Sequence, residues 1–295
     1  ITMGSLKTAL YSDVAKDYVG NIIVSDLGVQ RAIYETTTNT YLLDFFDMEV
    51  PFRTKQNAHK GKYGHLAVIV GEKKGAGIIA SEAAFAFGAG LVTTVAHENI
   101  NTPLHIMQDH AIPDNCTTIA IGMGLGRYET SEIHAILENN IPKVIDADLF
   151  YDEVILKVLN KENIVLTPHP KEFCSLLKIT KIADISTVEL QNNRFKYLKL
   201  FGQKYPQTVL LLKGANTLLT YENTIYINNL GTSALSKGGS GDVLTGLIAS
   251  LLTQGYSAIN AAITGTLAHA IAAKNYEKNN YSLSPIDLIQ GVKVL

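Results

Sequence analysis

The stretch HLAVIVGEKKGAGIIASEAAFAFGAGLVTTVA, residues 65–96, decides the fold class of this chain. It holds an apolar run at 65–70, a glycine-punctuated turn, an Ala-rich helical segment at 78–87 and a second apolar run at 91–96. Apolar runs without polar alternation are typical of strands that are covered on both faces. The stretch therefore predicts a strand–helix–strand unit of a parallel sheet.

The same alternation continues toward the carboxyl end. We predict strands at 117–121, 143–145, 163–166 and 208–212, and a hairpin from two strands at 217–220 and 224–227. Helices are predicted at 130–139, 151–159, from 170, and at 188–205, 242–252, 257–274 and 285–292. We expect an α/β fold with a mostly parallel central sheet and helices on both faces. Ligands of such sheets bind beyond the carboxyl ends of the strands.

The first 50 residues do not follow this alternation. Residues 18–26 (YVGNIIVSD) predict one isolated strand, and the Thr-rich residues 34–41 are typical of a linker. We therefore place a domain boundary near residue 50, with 1–50 as a separate segment and 51–295 as the large domain. The first residue is Ile1, which leads us to expect a longer product.

Composition narrows the class of protein. The 295 residues are 46% hydrophobic and 18% charged, with a net charge of -2. This balance argues against a nucleic-acid surface, and no apolar run is long enough to span a membrane. Cys116 and Cys174 have no metal-ligand spacing, so we expect reduced thiols in a cytoplasmic protein.

The segment KGGSGDVLTG at 237–246 predicts an anion site. Gly238, Gly239, Ser240 and Gly241 let backbone N–H groups approach a phosphate, and a helix begins there with its partial positive charge. A carboxylate at Asp242 would repel that phosphate unless it serves as a base that activates a nucleophile. A simple glycine turn with a capping acid is the alternative.

Three more loops follow predicted strands. Residues 71–77 (GEKKGAG) and 122–126 (GMGLG) offer side-chain-poor surfaces to a ligand, or are plain turns. Asp146 and Asp148 could hold Mg²⁺ through water or cap the next helix.

Two further loops carry ligand-binding side chains. His169 is held between two prolines and is expected to contact a ligand. The KGANT loop at 213–217 is suited to a nucleotide phosphate, whereas His269 in an Ala-rich helix is expected to be structural.

Together these segments resemble the ATP/ADP-dependent NAD(P)H-hydrate dehydratase family of ribokinase-like fold. The similarity runs over residues 62–295 and is most specific in LTPHPKEF at 166–173 and KGANT at 213–217. One stretch departs from the family pattern: GTSAL at 231–235 stands where the family usually has Gly-Asn-Pro-Gly-Met, so its nucleotide contacts are not predicted.

The resemblance implies a repair reaction on hydrated NAD(P)H that uses ADP or ATP with Mg²⁺. Asp242 would be the catalytic base, and the hydrated dinucleotide would contact Ala76, Gly124, His169 and Asp242. The adenine nucleotide would contact Lys213, Gly214, Ala215, Asn216, Thr217 and the loop from Gly238 to Gly241. Residues 1–28 resemble the end of an epimerase domain that is often fused upstream, without its catalytic residues. A homo-oligomer is expected by the same resemblance.

Two other functions are compatible with these motifs. One is a small-molecule kinase of the same fold that acts on a vitamin or sugar alcohol and keeps the phosphate on its substrate. The other is a non-catalytic nucleotide-sensing module.

Overall fold

The computed structural model describes residues 1–295 and contains twelve strands and eight α-helices. The strands are β1 (Thr2–Met3), β2 (Val24–Ser25), β3 (Thr40–Leu42), β4 (His65–Ile69), β5 (Leu91–Val95), β6 (Met107–Asp109), β7 (Thr118–Ile121), β8 (Lys143–Ile145), β9 (Ile164–Leu166), β10 (Val209–Leu212), β11 (Thr217–Tyr221) and β12 (Thr224–Asn228). The helices are α1 (Lys74–Ala86), α2 (Thr130–Glu138), α3 (Pro170–Ile179), α4 (Thr187–Asn192), α5 (Arg194–Lys204), α6 (Ser240–Thr253), α7 (Ala258–Lys274) and α8 (Pro285–Val292).

Ten strands form one sheet in the order β3-β12-β11-β10-β9-β8-β7-β4-β5-β6. The pairs β10–β11 and β11–β12 are antiparallel, and every other pair is parallel. Only β11 therefore runs against the rest. The carboxyl ends of β4, β7, β8, β9 and β10 lie along one edge of the sheet, as the alternation predicts.

The sheet separates two apolar cores. Successive residues of β4 alternate between them, because Leu66 and Val68 belong to one core and Ala67 and Ile69 to the other. The first core contains α1, α6, α7 and α8, and the second contains α2, α3, α4 and α5. The predicted α/β architecture, with a mostly parallel sheet and helices on both faces, is confirmed.

Two predicted helices differ from the structure. The helix predicted at 188–205 is two helices, α4 and α5, because Asn193 between them has non-helical backbone angles. The helix predicted at 151–159 is replaced by short 3₁₀ turns, Ala147–Tyr151 and Glu153–Lys157, and Asp152 caps the second by accepting from the Val154 N–H. Asp and Asn side chains compete for backbone groups and so interrupt helices.

The first 50 residues also differ from expectation. The strand predicted at 18–26 is wrong except at β2, which pairs only with β1. The linker interpretation of 34–41 is wrong at its end, because β3 extends the large sheet by pairing in parallel with β12. The sheet therefore continues across the boundary placed near residue 50. No helix combines the length and the apolar character that crossing a membrane requires.

Candidate active site

The loops that follow β4, β7 and β8 pack tightly against one another. A Cβ at Gly71 would lie 2.1 Å from the Leu125 carbonyl oxygen, and a Cβ at Gly122 would lie 1.8 Å from that of Asp146. Gly122 also has a φ of +116°, which disfavours any side chain. These glycines are needed because two backbones meet where a side chain would stand.

The same packing brings two predicted substrate residues together. A Cβ at Gly124 would lie 3.3 Å from the Cβ of Ala76, and the Lys73 N–H donates to the Gly124 carbonyl at 3.0 Å. The Asp148 carboxylate accepts from the Gly126 N–H at 2.9 Å, which ties this loop to the end of β8. Ala76 and Gly124 thus form one surface beside the acidic pair.

Asp146 links β8 to the loops after β10 and into α6. Its Oδ1 accepts from the Lys213 ammonium at 2.7 Å, and its Oδ2 accepts from the Thr245 hydroxyl at 3.0 Å. The capping alternative for Asp146 is wrong, because its side chain caps no backbone N–H of the following turn. Both carboxylate oxygens already have protein partners, so Asp146 holds Lys213 in place.

Asp242 lies in the first turn of α6, beside this pair. The pKa of its carboxyl is raised to about 6, first by burial and then by the negative charge of Asp146, while Lys213 opposes the shift. A carboxylate with a pKa near neutrality can take a proton and release it again. Asp242 is partly buried and has the electrostatic character of a general base.

The first turn of α6 supplies backbone donors at the same point. Val243 N–H already donates to the Gly239 carbonyl, whereas the N–H groups of Gly241 and Asp242 come too early for a partner within the helix. Gly239 precedes the helix with a φ of +88°, and a Cβ there would lie 2.6 Å from Pro285. Gly239 is therefore required by the turn and by its packing, while Gly238 has open space around it.

A cleft of about 580 Å³ opens next to these groups. Predicted nucleotide residues on its walls are Lys213, Gly214, Ala215, Thr217, Ser240 and Gly241, and His169 is also exposed to it. Residues 231–236, whose contacts the resemblance left open, supply five further lining residues: Gly231, Thr232, Ser233, Leu235 and Ser236. The hydroxyl of Thr232 is buried without a hydrogen-bond partner.

His169 is fixed by a reciprocal cap at the start of α3. Its Nδ1 accepts from the N–H groups of Lys171 and Glu172 at 3.1 and 3.2 Å, and Glu172 accepts from the His169 N–H at 2.8 Å. Because Nδ1 is an acceptor, the ring proton is on Nε2, which lies 3.0 Å from Glu172. His169 lies in the cleft with Lys213 and Gly214.

Asn216 is placed differently from the rest of its loop. Its side chain is 1% exposed and does not line the cleft. Its amide Nδ2 donates to the Tyr11 and Ser12 carbonyls, and its Oδ1 accepts from Lys16. The amino-terminal residues therefore bind the polar atoms of the Asn216 side chain, and the predicted contact of Asn216 with the nucleotide stays a prediction.

Several site residues were not predicted. Asp13, Lys16 and Asp17 line the cleft although they belong to the segment that was assigned no role. His269 is buried as expected, but its Nε2 lies 3.2 Å from the Ser240 hydroxyl at the cleft wall, and burial lowers its pKa to about 4. No motif in the sequence points to contacts between residues about 200 positions apart.

Comparisons with known proteins identify the family to which the chain belongs. The NAD(P)H-hydrate dehydratase family matches residues 66–293. The chain is 47% identical over 299 residues to the bifunctional NAD(P)H-hydrate repair enzyme Nnr of Helicobacter pylori, covering 100% of this chain and 63% of that protein. The chain thus spans just under two-thirds of that relative's length.

Two further relatives lack the bifunctional name. An ADP-dependent (S)-NAD(P)H-hydrate dehydratase of Neisseria meningitidis is 33% identical over 240 residues, covering 74% of this chain and 79% of that protein. The Bacillus subtilis ADP/ATP-dependent NAD(P)H-hydrate dehydratase co-crystallised with ATP/Mg²⁺ has the same fold, with a TM-score of 0.66 at 24% identity over 81% of this chain and 91% of that chain. The predicted ribokinase-like fold and family are confirmed: the chain belongs to the NAD(P)H-hydrate dehydratase family.

Proposed function

We propose that this chain catalyses the ADP- or ATP-dependent dehydration of (S)-NAD(P)H hydrate to NAD(P)H, releasing phosphate and AMP or ADP. Family membership supports the reaction class. The observation that carries the proposal is Asp242, a carboxyl whose pKa is raised to about 6 by burial at the start of a glycine-led helix. Such a group is suited to proton abstraction beside an anion site.

In the proposed reaction, Asp242 takes the proton from the hydroxyl on the nicotinamide ring carbon next to the ring nitrogen. The oxygen attacks the terminal phosphorus of the nucleotide, forming an O–P bond, and the bond from that phosphorus to the bridging oxygen breaks. The ring nitrogen's lone pair then expels phosphate, as the bond between the ring carbon and the ester oxygen breaks. Loss of a neighbouring ring proton restores the ring double bond, and Asp242 returns its proton to solvent.

The nucleotide belongs in the cleft in this proposal. Its phosphates would meet the N–H groups at the start of α6 and the ammonium of Lys213, which Asp146 holds at 2.7 Å. Gly214, Ala215, Thr217, Gly238, Ser240 and Gly241 would complete its contacts. Asn216 and Gly239 would act by shaping the loops.

The hydrated nicotinamide would approach from the Ala76 and Gly124 surface. The packed glycine loops connect that surface to Asp146. The negative charge of Asp146 in turn contributes to the raised pKa of Asp242. His169 would contact the dinucleotide from the cleft, with its ring held in place by Glu172. The two ligands would then meet at Asp242.

Mg²⁺ would enter with the nucleotide. No cluster of three or more His, Cys, Asp or Glu residues provides a cage for a metal. Mg²⁺ usually keeps several waters and is held through substrate phosphates, so it does not require such a cage. The ion would supply charge neutralisation on the phosphates, and the Bacillus subtilis relative was co-crystallised with ATP and Mg²⁺.

The proposal also covers a fused domain, the oligomeric state and the cellular compartment. The bifunctional relatives support an epimerase domain fused upstream of residue 1. A homo-oligomer is proposed from family likeness. Both cysteines are free thiols, which suits a reducing cytoplasmic compartment.

The direct test is incubation of the protein with hydrated NADH and either ADP or ATP. We expect the absorbance of the reduced nicotinamide to return and free phosphate to appear. Phosphate that stays on the substrate would instead establish the kinase alternative. Asp242→Asn should lower turnover by about 10²–10⁴ while nucleotide binding persists, since only the base is lost.

The matched control is Asp184→Asn, because Asp184 is an exposed acid that pairs with Lys178 on the surface. It should turn over at the wild-type rate. An Asp242→Asn variant that also turns over at the wild-type rate would remove Asp242 from the chemistry. Nucleotide binding without any turnover of wild type would favour the sensing module.

A further inference from the structure

Residues 9–17, here called the N-terminal clamp, lie against the nucleotide loop at 213–217. The clamp is outside the region that matches the dehydratase family, which begins at residue 66. It nevertheless supplies Asp13, Lys16 and Asp17 to the wall of the cleft. The part of the chain that the family model matches therefore supplies only part of the cleft wall.

Asn216 is the centre of the contact. Its backbone N–H donates to Asp13 Oδ1 at 3.1 Å, and its side-chain Nδ2 donates to the Tyr11 and Ser12 carbonyls at 2.9 and 3.4 Å. Its Oδ1 accepts from the Lys16 ammonium at 3.0 Å. A buried amide with all of these groups satisfied fixes the loop in one conformation.

Lys16 joins the loop before β11 to the residues after β12. Its ammonium donates to Asn216 in the 213–217 loop and to the Asn229 carbonyl beyond β12. Both acceptors are neutral oxygens, and an ammonium has three donors. Lys16 therefore leaves a positive charge and an N–H at the wall of the cleft in which the nucleotide is proposed to bind.

We propose that the N-terminal clamp is a structural part of the adenine-nucleotide site and that Lys16 is a positioning residue for the 213–217 loop. This inference rests on the proposed function, since it takes the cleft ligand to be ADP or ATP. Residues of both the 1–50 segment and the 51–295 domain then form the nucleotide site. A change in the clamp alters nucleotide affinity without touching the hydrated dinucleotide.

The experiment measures ADP and ATP binding by calorimetry on the full chain. Lys16→Met keeps the aliphatic stem but removes the charge and donors, and it should raise the nucleotide Kd by about tenfold or more. In turnover assays the nucleotide KM should rise equally, with kcat and the KM for hydrated dinucleotide within about twofold of wild type. Lys16→Arg, which restores the charge and donors, should recover most of the affinity.

Lys7→Met is the matched control, because Lys7 is exposed and bonds only within its own turn. It should bind nucleotide as wild type does. A Lys16→Met variant with a wild-type nucleotide Kd overturns the inference while leaving the proposed function standing. Wild type that binds neither ADP nor ATP overturns both.

A second measurement does not depend on the stability of any variant. Backbone amides of residues 9–17 in wild type should exchange more slowly with solvent deuterium when ADP or ATP is bound, because the ligand covers and stabilises the cleft wall that these residues form. Exchange in β6, at the far edge of the sheet, serves as the internal control. Clamp amides that exchange equally with and without nucleotide contradict the inference.

Discussion

At the scale of single residues, Asp242 shows that a buried base lowers the stability of the folded protein at neutral pH. Burial raises its pKa from 3.8 to about 6, so the folded protein holds the proton more tightly than the unfolded chain does. As the pH rises from about 4 to about 6, the unfolded chain releases this proton first, and folded stability falls. Two pKa units correspond to about 3 kcal/mol at most.

We therefore predict that Asp242→Asn is inactive yet more stable than wild type at neutral and higher pH. Urea unfolding at pH 8 should show a gain of about 1–3 kcal/mol, which disappears near pH 4, where the carboxyl is protonated in the folded state. Asp184→Asn, at the exposed acid, should show no such gain. Unchanged or reduced stability of Asp242→Asn at pH 8 would contradict this account of the carboxyl.

At the scale of elements, the strands predicted from residue 65 onward agree with the structure to within a residue or two, because apolar runs between glycine turns leave few alternatives. The strand predicted at 18–26 does not agree, and the short strands β3 and β6 were not predicted. The helices were less predictable. Val188 to Tyr205 has one apolar face throughout, but Asn193 breaks the backbone and its amide donates to the Glu189 carbonyl. Periodicity shows which face is buried, whereas the break depends on a local hydrogen bond.

The glycine loops give a prediction at this scale. Gly122→Ala should cost about 3 kcal/mol or more, since φ is +116° and the new Cβ would overlap the Asp146 carbonyl. Gly75→Ala is the matched control: nothing lies within 4 Å of its Cβ position and it sits inside α1, so it should be neutral or stabilising by up to about 1 kcal/mol. Thermal unfolding of both variants checks this, and equal melting temperatures would refute the packing argument.

At the scale of the whole molecule, the catalytic motifs were predictable and the cleft was not. Lys213, Ser240 and Gly241 stand in recognisable loops after strands, and the structure brings them to one cleft. Asp13 and Lys16 have no motif around them, and their partners lie 181 and 200 positions away. Pairing over such distances is decided by how the chain packs, which local patterns do not encode.

Arg194 makes that long-range packing testable. Its side chain is 2% exposed at the start of α5, and it donates to the Leu212, Lys213 and Asn216 carbonyls. Its ion-pair partner is Asp13 of the N-terminal clamp. Carbonyl oxygens satisfy hydrogen bonds but carry no net charge, so the buried guanidinium depends on Asp13 for compensation.

Asp13→Asn should therefore lower the free energy of unfolding by about 3–5 kcal/mol, because it leaves a buried charge without its counter-ion. The double variant Asp13→Asn/Arg194→Met removes both charges and should regain at least about 1 kcal/mol relative to the single variant, measured by urea unfolding. Asp17→Asn, at an exposed acid of the same segment, should change stability by less than about 0.5 kcal/mol. If Asp13→Asn lowers the free energy of unfolding as little as Asp17→Asn does, the N-terminal clamp does not stabilise the fold. The large domain alone would then hold the nucleotide loop.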